Sequence, residues 1–465
     1  MKKKYFLLFL PLCLLLGSCA SYYQKNIKFH RFFLSKKLAE ADQLLAKDKR
    51  AERRKTRLLY YLNRGITTHL MGQYEASNQF FEQAYLTHEN FLSNPVDETL
   101  AFLVNPTITD YRGEDHEALL IHYYKALNFL QLGKNQEASV ECRRLNIKLN
   151  QLSDKYDTAT KYRRDAFIHT LMGLVYQANH DYNNAFIAYR NAVEIYQEDY
   201  KPLFGLDAPA QLKKDLIYTA YKTGFDDQVH YYKQAFHLDY DPVKETAGGD
   251  VIFLWNSGLG PVKSEWNINF VVLKGAGGMV TFANEELGLF FPFPLGSDSE
   301  SKQSLSDLQL IRVAFPKYVA RPLLYDKAVV YANGHGYPLE VVEDINAISF
   351  QILHQRMLLE FSKSLLRVAL KKVAEYQIRK QNDILGSILG IVNFATEKAD
   401  TRNWQTIPHS IYYTRIKLPE GAHQVSFRAY ASQTPNAKQH QDFYVDIHPN
   451  QTIFHTVSSL VYASN

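Results

Sequence analysis

Residues 166–196 constrain the fold more than any other segment of this 465-residue sequence. Small side chains at Gly173 and Ala185 fall where two antiparallel helices would touch, and Ala192 would let a following unit approach. Aromatic side chains would fill the space around this contact, and they are Tyr176, Tyr182 and Tyr189. The segment therefore predicts a pair of antiparallel helices that needs neighbouring units to bury its faces.

Weaker copies of this pattern lie on both sides of the unit. In the copies at 58–84 and 118–145, the small residues that we select for helix packing are Gly65, Gly72, Ala84, Gly133 and Ala138. The offsets are those of the tetratricopeptide repeat, although most of the steps between copies exceed its period of ~34 residues. The sequence therefore predicts an irregular tetratricopeptide-like helical array between residues 19 and 245.

The pattern changes near Gly248, after which short β-prone runs alternate with turns. Residues 344–380 lack Gly and Pro and carry an apolar stripe, which predicts a long amphipathic helix. Apolar runs within 410–462 predict C-terminal antiparallel strands. The expected fold class is multidomain: an all-α tetratricopeptide-like helical array at 19–245, followed by an α+β region at 250–465 with antiparallel strands around the long helix.

One apolar run has two interpretations. Within residues 384–395, Gly386 and Gly390 lie four positions apart, a spacing that lets helices approach closely. The run is shorter than the ~20 residues that a membrane-spanning helix needs. A buried packing helix is the first interpretation, and a segment that dips into the membrane is the second.

The amino terminus predicts export and lipid attachment. Lysines at 2–4 precede a short apolar run, and the small residues Gly17 and Ser18 precede Cys19. The sequence Leu-Gly-Ser-Cys also resembles the bacterial lipobox, whose cysteine thiol accepts diacylglycerol. We therefore expect residues 1–18 to be a lipoprotein signal peptide and the lipid on Cys19 to anchor the mature chain. An ordinary secretory signal with an incidental cysteine is the alternative.

Charge and cysteine content exclude other classes of protein. The formal net charge is +5, but three of these charges are lysines of the signal peptide, which leaves +2 for the mature chain. This value gives no reason to expect a nucleic-acid partner, which requires a strongly basic patch. Once the signal peptide is removed, Cys142 is the one cysteine besides Cys19, so an internal disulfide is not expected.

The sequence contains no recognisable catalytic or metal-binding motif. The glycine-rich run 275–278 lacks the Lys-Ser/Thr pair with which a P-loop grips phosphate. His116 and His122 lie six residues apart on a predicted helix and therefore on different faces, which does not suit a shared metal ion. We expect no catalytic residue, no metal and no cofactor. A site assembled from residues far apart in the sequence is the alternative left open.

Phrases in both halves of the chain resemble those of one family. They are YRGED at 111–115, HYYKALN at 122–128, VECRRLN at 140–146, DAF at 165–167, DYNNAFIAY at 181–189, NSGLGP at 256–261, AFP at 314–316 and TEKADTRNW at 396–404, which ends in ADTRNW. Together, over about residues 20–460, the chain resembles the uncharacterised bacterial tetratricopeptide-repeat lipoproteins. The family has no established activity, and the resemblance implies a link to cell-wall assembly.

The last phrase is the most specific, and within it we single out Asp400, Thr401, Arg402 and Trp404. Short polar side chains beside a tryptophan predict a structured corner in which Asp400 pairs with Arg402 and the indole ring is buried. The alternative is an exposed docking motif, since Trp and Arg are common in interface hot spots.

These observations together predict a membrane-anchored envelope lipoprotein that acts as a non-enzymatic protein–protein interaction scaffold. Its partners would be an envelope protein or peptide, bound on the concave face of the array, and the membrane, through the lipid on Cys19. Ala20 rather than Asp follows Cys19, which favours the outer membrane facing the periplasm. The alternative is an envelope enzyme of the cell-wall hydrolase type.

Overall fold

The computed structural model describes most of the chain. The described residues are 21–53, 55–93, 109–155, 162, 164–243, 248–274, 279–294, 310–381, 398–433 and 438–463. Three features singled out in the sequence lie outside the described residues: Cys19, the glycine-rich run 275–278 and the apolar run 384–395. The expectations for these residues therefore stay predictions.

Helices make up the first half of the described chain, and capping side chains fix where several of them begin. Asp165 accepts a hydrogen bond from Ile168 N at 2.7 Å. Asp181 accepts one from Asn184 N at 3.2 Å. The helices are α1 (Tyr22–Lys25), α2 (Ile27–Leu34), α3 (Leu38–Lys47), α4 (Lys49–Arg53), α5 (Arg57–Leu70), α6 (Tyr74–Ser93), α7 (Asp115–Gln131), α8 (Asn135–Lys155), α9 (Ala166–Ala178), α10 (Tyr182–Ile195) with a π-helical turn (Tyr196–Tyr200), α11 (Lys201–Phe204), α12 (Ala210–Lys222) and α13 (Asp226–Phe236).

Successive helices pack in pairs, α5 with α6, α7 with α8, α9 with α10 and α12 with α13. The α9–α10 contact is close because Gly173 has no side chain: a Cβ atom there would collide with the ring of Tyr189. A Cβ atom at Gly65 in α5 would lie 2.8 Å from the ring of Phe81 in α6. The missing side chains therefore allow these two helix pairs to approach closely.

Strands make up most of the second half, together with one long helix. The strands are β1 (Gly249–Ser257), β2 (Val262–Lys274), β3 (Met279–Asn284), β4 (Leu289–Pro294), β5 (Leu310–Val319), β6 (Lys327–Ala332), β7 (His335–Pro338), β8 (Glu340–Asp344), β9 (Ser410–Leu418), β10 (Gly421–Tyr430), β11 (Lys438–Ile447) and β12 (Thr452–Ser459), and the helix is α14 (Ile345–Gln381). The described strands form three four-stranded sheets. The strand order is β12–β1–β9–β8 in the first sheet, β11–β10–β6–β7 in the second and β4–β3–β2–β5 in the third.

The first sheet is mixed and is buried on both faces. Its strand β1 pairs in parallel with β12 and antiparallel with β9. Ile252 and Leu254 of β1 lie in the core shared with the helices. The alternating side chains Val251, Phe253 and Trp255 lie in the core shared with the second sheet. The first sheet therefore lies between the helices and the second sheet.

The third sheet packs against the long helix. Phe361, Leu365 and Val368 of α14 lie in one core with the inward side chains of β2 and β5. The rings of Phe315 and Phe361 meet edge to face, with centroids 4.2 Å apart. Only one face of this sheet is covered by α14, so the side chains of the other face point away from it.

The predicted fold class, an all-α array followed by an α+β region, is wrong. The strands form three separate sheets instead of surrounding the long helix. The helices share one continuous core with β1, β8, β9 and β12, so they are not an independent all-α unit. The physical reason is that the helix pairs expose a second apolar face, which the first sheet covers. The boundary between residues 245 and 250 stays a prediction.

Candidate functional site

Residues 399–409, which we call the corner, join the helices to the third sheet and lead directly into β9 of the first. The backbone N–H of Trp404 donates to a carboxylate oxygen of Glu117 in α7 at 2.7 Å. The side-chain oxygen of Asn403 accepts a hydrogen bond from the backbone of Lys263 in β2 at 3.2 Å. The ADTRNW phrase therefore lies where the main parts of the fold meet.

The side chains of Asp400 and Arg402 form an ion pair inside the corner. The Arg402 guanidinium donates to both oxygens of the Asp400 carboxylate, at 2.9 and 2.7 Å. It also donates to the backbone carbonyls of Lys55, at 3.0 Å, and Thr109, at 2.8 Å. Arg402 therefore ties two segments of the helical part to the corner, a use of its several donors that Lys does not reproduce.

Trp404 is completely buried, as expected of a structural corner. Its indole N–H donates to the hydroxyl of Thr406 at 2.8 Å. Its ring lies against Phe81 and Tyr124, with both centroid distances at 5.9 Å. An exposed docking role for Trp404 is therefore excluded in this conformation, because its ring is 0% exposed.

The corner also holds the amino-terminal helices. The hydroxyl oxygen of Thr401 accepts a hydrogen bond from the backbone N–H of Tyr22 at 2.9 Å. The His30 ring and the Gln405 amide lie within hydrogen-bond distance, at 2.7 Å. Burial and the charge of Arg321 lower the pKa of His30 to about 3, so its ring is neutral near pH 7. The described chain therefore starts at a fixed position on the body of the protein.

A cluster of buried charged groups adjoins the corner. Glu114, at the start of α7, forms ion pairs with Lys263 and with Arg356, the latter at 2.6 Å. Burial alone would raise the pKa of the Glu114 carboxyl, but the charges of Arg356 and Lys263 outweigh burial and hold that pKa well below its ordinary value. The Glu114 carboxylate is therefore ionised, and its negative charge is balanced by the positive charges of Lys263 and Arg356.

Glu117, one turn further along α7, behaves in the opposite way. Its carboxylate accepts hydrogen bonds from Tyr111 OH at 2.7 Å and from the backbone N–H of Glu114 at 3.1 Å, besides that of Trp404. Burial, followed by the negative charge of Glu114, raises the pKa of Glu117 to about 7. The two neighbouring carboxyls thus have well-separated pKa values because, among the described residues, Lys263 and Arg356 form ion pairs with Glu114 and none is found for Glu117.

Beside this cluster, His116 and Ser349 form a contact that resembles a nucleophile with its base. Nε2 of His116 lies 3.2 Å from the hydroxyl of Ser349. However, this hydroxyl donates to the carbonyl of Ile345 at 2.7 Å, and Nδ1 of His116 has no partner among the described residues. Burial lowers the pKa of His116 to about 4. The pair lacks the orienting third group and the solvent access of a catalytic triad.

The structure places the selected repeat residues in helix contacts or at helix ends. Those that are fully buried, besides the two contact glycines, are Ala84, Ala138, Ala185, Tyr189 and Ala192. Tyr176 and Tyr182 are half-buried. Gly72 and Gly133 follow helices with φ of 74° and 69°, the left-handed conformation that favours glycine. The Cys142 thiol is buried, and burial raises its pKa, which makes it unreactive.

The first sheet covers the array on the side of the first helix of each pair. Tyr123 of α7 donates to the side-chain oxygen of Asn256 in β1 at 2.9 Å. Gln177 of α9 accepts from the guanidinium of Arg415 in β9 at 2.9 Å. A repeat array would be expected to bind a peptide on this face, and the protein's own sheet occupies it.

A charged pocket of about 270 Å³ opens between α12 and the first sheet. Arg415 lies 3.0 Å from Asp215 and 3.5 Å from Asp250, and Lys417 lies 3.5 Å from Asp250. Burial raises the pKa of the Asp215 carboxyl against the opposing charge of Arg415. The pocket is completed by Gln211, Lys214, Tyr218, Tyr240 and Tyr337. Paired carboxylates beside tyrosine rings suit a polar ligand.

The outer face of the third sheet carries large exposed apolar side chains. Leu310 is paired with Val271, Val271 with Ala283, and Ala283 with Phe290, so these residues lie side by side across four strands. Leu310, Val271 and Phe290, which we call the apolar row, are 59%, 49% and 55% exposed. The exposed polar residues nearby on β2 and β5 include Asn267, Asn269 and Arg312.

No protein-family model matches the chain, and the search among curated proteins finds no significant match. In the part of the chain that the structure describes, no helix has both the length and the apolar character needed to cross a membrane. The same described residues contain no group of three or more His, Cys, Asp or Glu side chains placed to hold a metal ion.

Sequence analysis did not select several groups of the site. Glu114 lies in the YRGED phrase that contributes to the resemblance, but nothing in the sequence singled out this residue within the phrase. Lys263 is 149 residues from Glu114, and Arg415 is 238 residues from Gln177, so no local spacing connects these partners. Their association depends on the packing of the first and third sheets against the helices.

Proposed function

We propose that this protein is a membrane-anchored envelope lipoprotein that acts as a non-enzymatic scaffold for a protein partner, with a role in cell-envelope or cell-wall assembly. The lipid on Cys19 would anchor it to the outer membrane facing the periplasm. The apolar row carries the proposal, because exposed apolar patches on otherwise well-packed proteins mark interaction sites.

The chemistry of the apolar row favours a protein as the occupant. Large apolar side chains lie at its centre, and Asn267, Asn269 and Arg312 supply polar groups beside it. An apolar core with a polar rim is the usual composition of a protein–protein interface. The proposal therefore places the partner on the third sheet and not on the array face that the first sheet covers.

Site-specific photo-cross-linking tests this partner surface. A photoreactive side chain at Val271 should give a discrete adduct in intact cells, whereas the same group at Gln424, an exposed position on the second sheet, should not. Leu310→Asn places a polar side chain beside Val271 and should remove the adduct. An adduct that survives Leu310→Asn, or that forms equally at Gln424, would contradict the proposal.

The anchor is tested separately in cells. Cys19→Ser removes the thiol that accepts diacylglycerol, so labelled palmitate should no longer enter the protein and the precursor should persist. Cys142→Ser is the matched control, because this thiol is buried and should not carry lipid. Unchanged palmitate labelling of Cys19→Ser would contradict lipid attachment at this residue.

A second candidate function is an envelope enzyme of the cell-wall hydrolase type, and the charged pocket supports it. Glycoside hydrolases use two carboxyl groups, one of which has a raised pKa. Asp215 and Asp250 lie in one pocket, and the pKa of Asp215 is raised by burial. Clearing of a peptidoglycan gel by the wild type and its loss in Asp250→Asn would favour this enzyme over the scaffold.

A further inference from the structure

The segment that follows the lipid attachment site is strongly basic, although the mature chain as a whole is nearly neutral. Residues 21–57 contain 12 Lys and Arg residues against 4 Asp and Glu residues, a net charge of +8, whereas residues 19–465 carry +2. The rest of the mature chain is therefore net acidic. A charge separation of this size indicates that the amino-terminal segment meets an anionic partner.

The basic side chains nearest the anchor point into solvent. Lys25, Lys28 and Arg31, which we call the basic face, are exposed, and none of the three forms an ion pair with a described residue. Their helices are held on the opposite side, where Phe29, His30 and Phe33 are buried. Ile27, the first residue of the second helix, is 44% exposed. The helices therefore present a cationic surface with an exposed apolar residue next to it in the sequence.

The position of this surface relative to the anchor is restricted. The hydrogen bond from Tyr22 N to Thr401 fixes the start of α1 on the corner. Cys19 precedes Tyr22 by three residues, and a fully extended chain spans at most ~3.6 Å per residue. Chain length therefore limits the sulfur of Cys19 to within roughly 15 Å of the corner, and the basic face begins at Lys25, three residues after Tyr22.

We propose that the basic face binds anionic phospholipid head groups of the bilayer in which the lipid on Cys19 is embedded. The proposal rests on the anchor proposed above. Each Lys or Arg near an anionic surface strengthens binding about fivefold. The two contacts together fix which side of the protein faces the bilayer.

Vesicle binding by the unacylated protein tests this contact independently of lipid attachment. The probe is the mature chain, residues 19–465, with Cys19→Ala, and the vesicles are phosphatidylcholine alone or an equal mixture with phosphatidylglycerol. We expect binding to the mixed vesicles only. Raising the salt concentration from about 0.1 to 1 M should abolish it, because the screening length falls from ~10 to ~3 Å.

Charge removal locates the contact on the protein. The variant Lys25→Gln, Lys28→Gln, Arg31→Gln should bind the mixed vesicles on the order of 100-fold more weakly, the product of three fivefold losses. The matched control is Lys134→Gln, Arg143→Gln, Lys438→Gln, which removes three exposed cations elsewhere. Circular dichroism of both variants shows whether the fold is kept.

Three results would overturn the proposal. The protein could bind neutral and mixed vesicles equally, or both triple variants could lose the same amount of binding to mixed vesicles. The protein could also bind poly-glutamate but not mixed vesicles, which would indicate an acidic protein partner. Failure of the anchor itself would appear differently. In that case palmitate labelling in cells would be unaffected by Cys19→Ser, while binding of the unacylated protein to anionic vesicles would persist.

Discussion

Glu117→Gln tests whether the carboxyl group that binds the backbone of Trp404 in the corner has a raised pKa in the folded protein. Burial and the charge of Glu114 raise the pKa of Glu117 from 4.5 to about 7 in the folded protein. In the unfolded chain this carboxyl ionises near its ordinary pKa. Its contribution to the free energy of unfolding is therefore fully present below about pH 4.5 and is lost as the pH rises through about 7.

The magnitude follows from the two pKa values. Between about pH 5 and pH 8, proton linkage of this single group lowers the free energy of unfolding of the wild type by about 2.5 kcal/mol. A glutamine side chain resembles the protonated carboxyl in part: its oxygen can accept from the Trp404 N–H, and its NH₂ can face the Tyr111 oxygen. The NH₂ also faces the backbone N–H of Glu114, which then loses its acceptor. The variant should therefore be less stable than the wild type by ~1–3 kcal/mol at acid pH, a cost that does not change with pH.

Urea unfolding at both pH values measures the effect. The stability of Glu117→Gln relative to the wild type should rise by about 2.5 kcal/mol between about pH 5 and pH 8. Other buried groups whose pKa values are shifted, such as His116, are common to both proteins and cancel in the difference. Glu286→Gln, in an exposed turn, should show no such change. A stability difference between the two proteins that is independent of pH would refute the reasoning.

Two further substitutions test the packing. Trp404→Ala removes a fully buried ring and should lower the free energy of unfolding by ~3–5 kcal/mol. Differential scanning calorimetry should show a lower melting temperature for this variant than for Trp266→Ala, which removes a half-buried ring. An unchanged melting temperature would show that the Trp404 ring does not stabilise the fold. Ala185→Glu places an unpaired charge between α9 and α10 and should lower the free energy of unfolding by on the order of several kcal/mol. The control Asn183→Glu, at an exposed position of α10, should leave it nearly unchanged. Equal melting temperatures of these two variants would contradict the helix contact.

Local structure is visible in the sequence where neighbouring residues determine it. Asp181 caps the helix that it precedes, and Gly173 lies in a helix contact because only a residue without a side chain fits beside Tyr189. Such signals depend on residues within one turn or one helix pair. They identify helices, but they do not tell which face of each helix remains uncovered.

The prediction of the fold class was wrong because the sequence does not show which helix faces the first sheet covers. The first sheet contacts the helices through pairs such as Tyr123 and Asn256, which are hydrogen-bonded although 133 residues apart. Contacts over such a separation leave no local pattern in the sequence. Which residues of β1 face the helices and which face the second sheet could not be foreseen either, because both of its faces are buried and its sequence has no polar side. The corner was predictable to a greater extent, since Asp400 and Arg402 are close in sequence. Its partners Glu117 and Lys263 were not, because they belong to distant elements.

For the scaffold proposed above, the corner would also determine where the partner lies relative to the anchor. Strand β2 starts beside the corner, where Lys263 bonds to Asn403, and it reaches Val271 of the apolar row eight residues later. At ~3.4 Å per strand residue, the apolar row lies roughly 27 Å along the strand from the corner. Tyr22, three residues after the proposed anchor Cys19, is held by Thr401 of the corner. A partner on the apolar row would therefore sit at a defined distance from the anchor, and inserting a flexible linker after Cys19 should relax that distance without removing either binding surface.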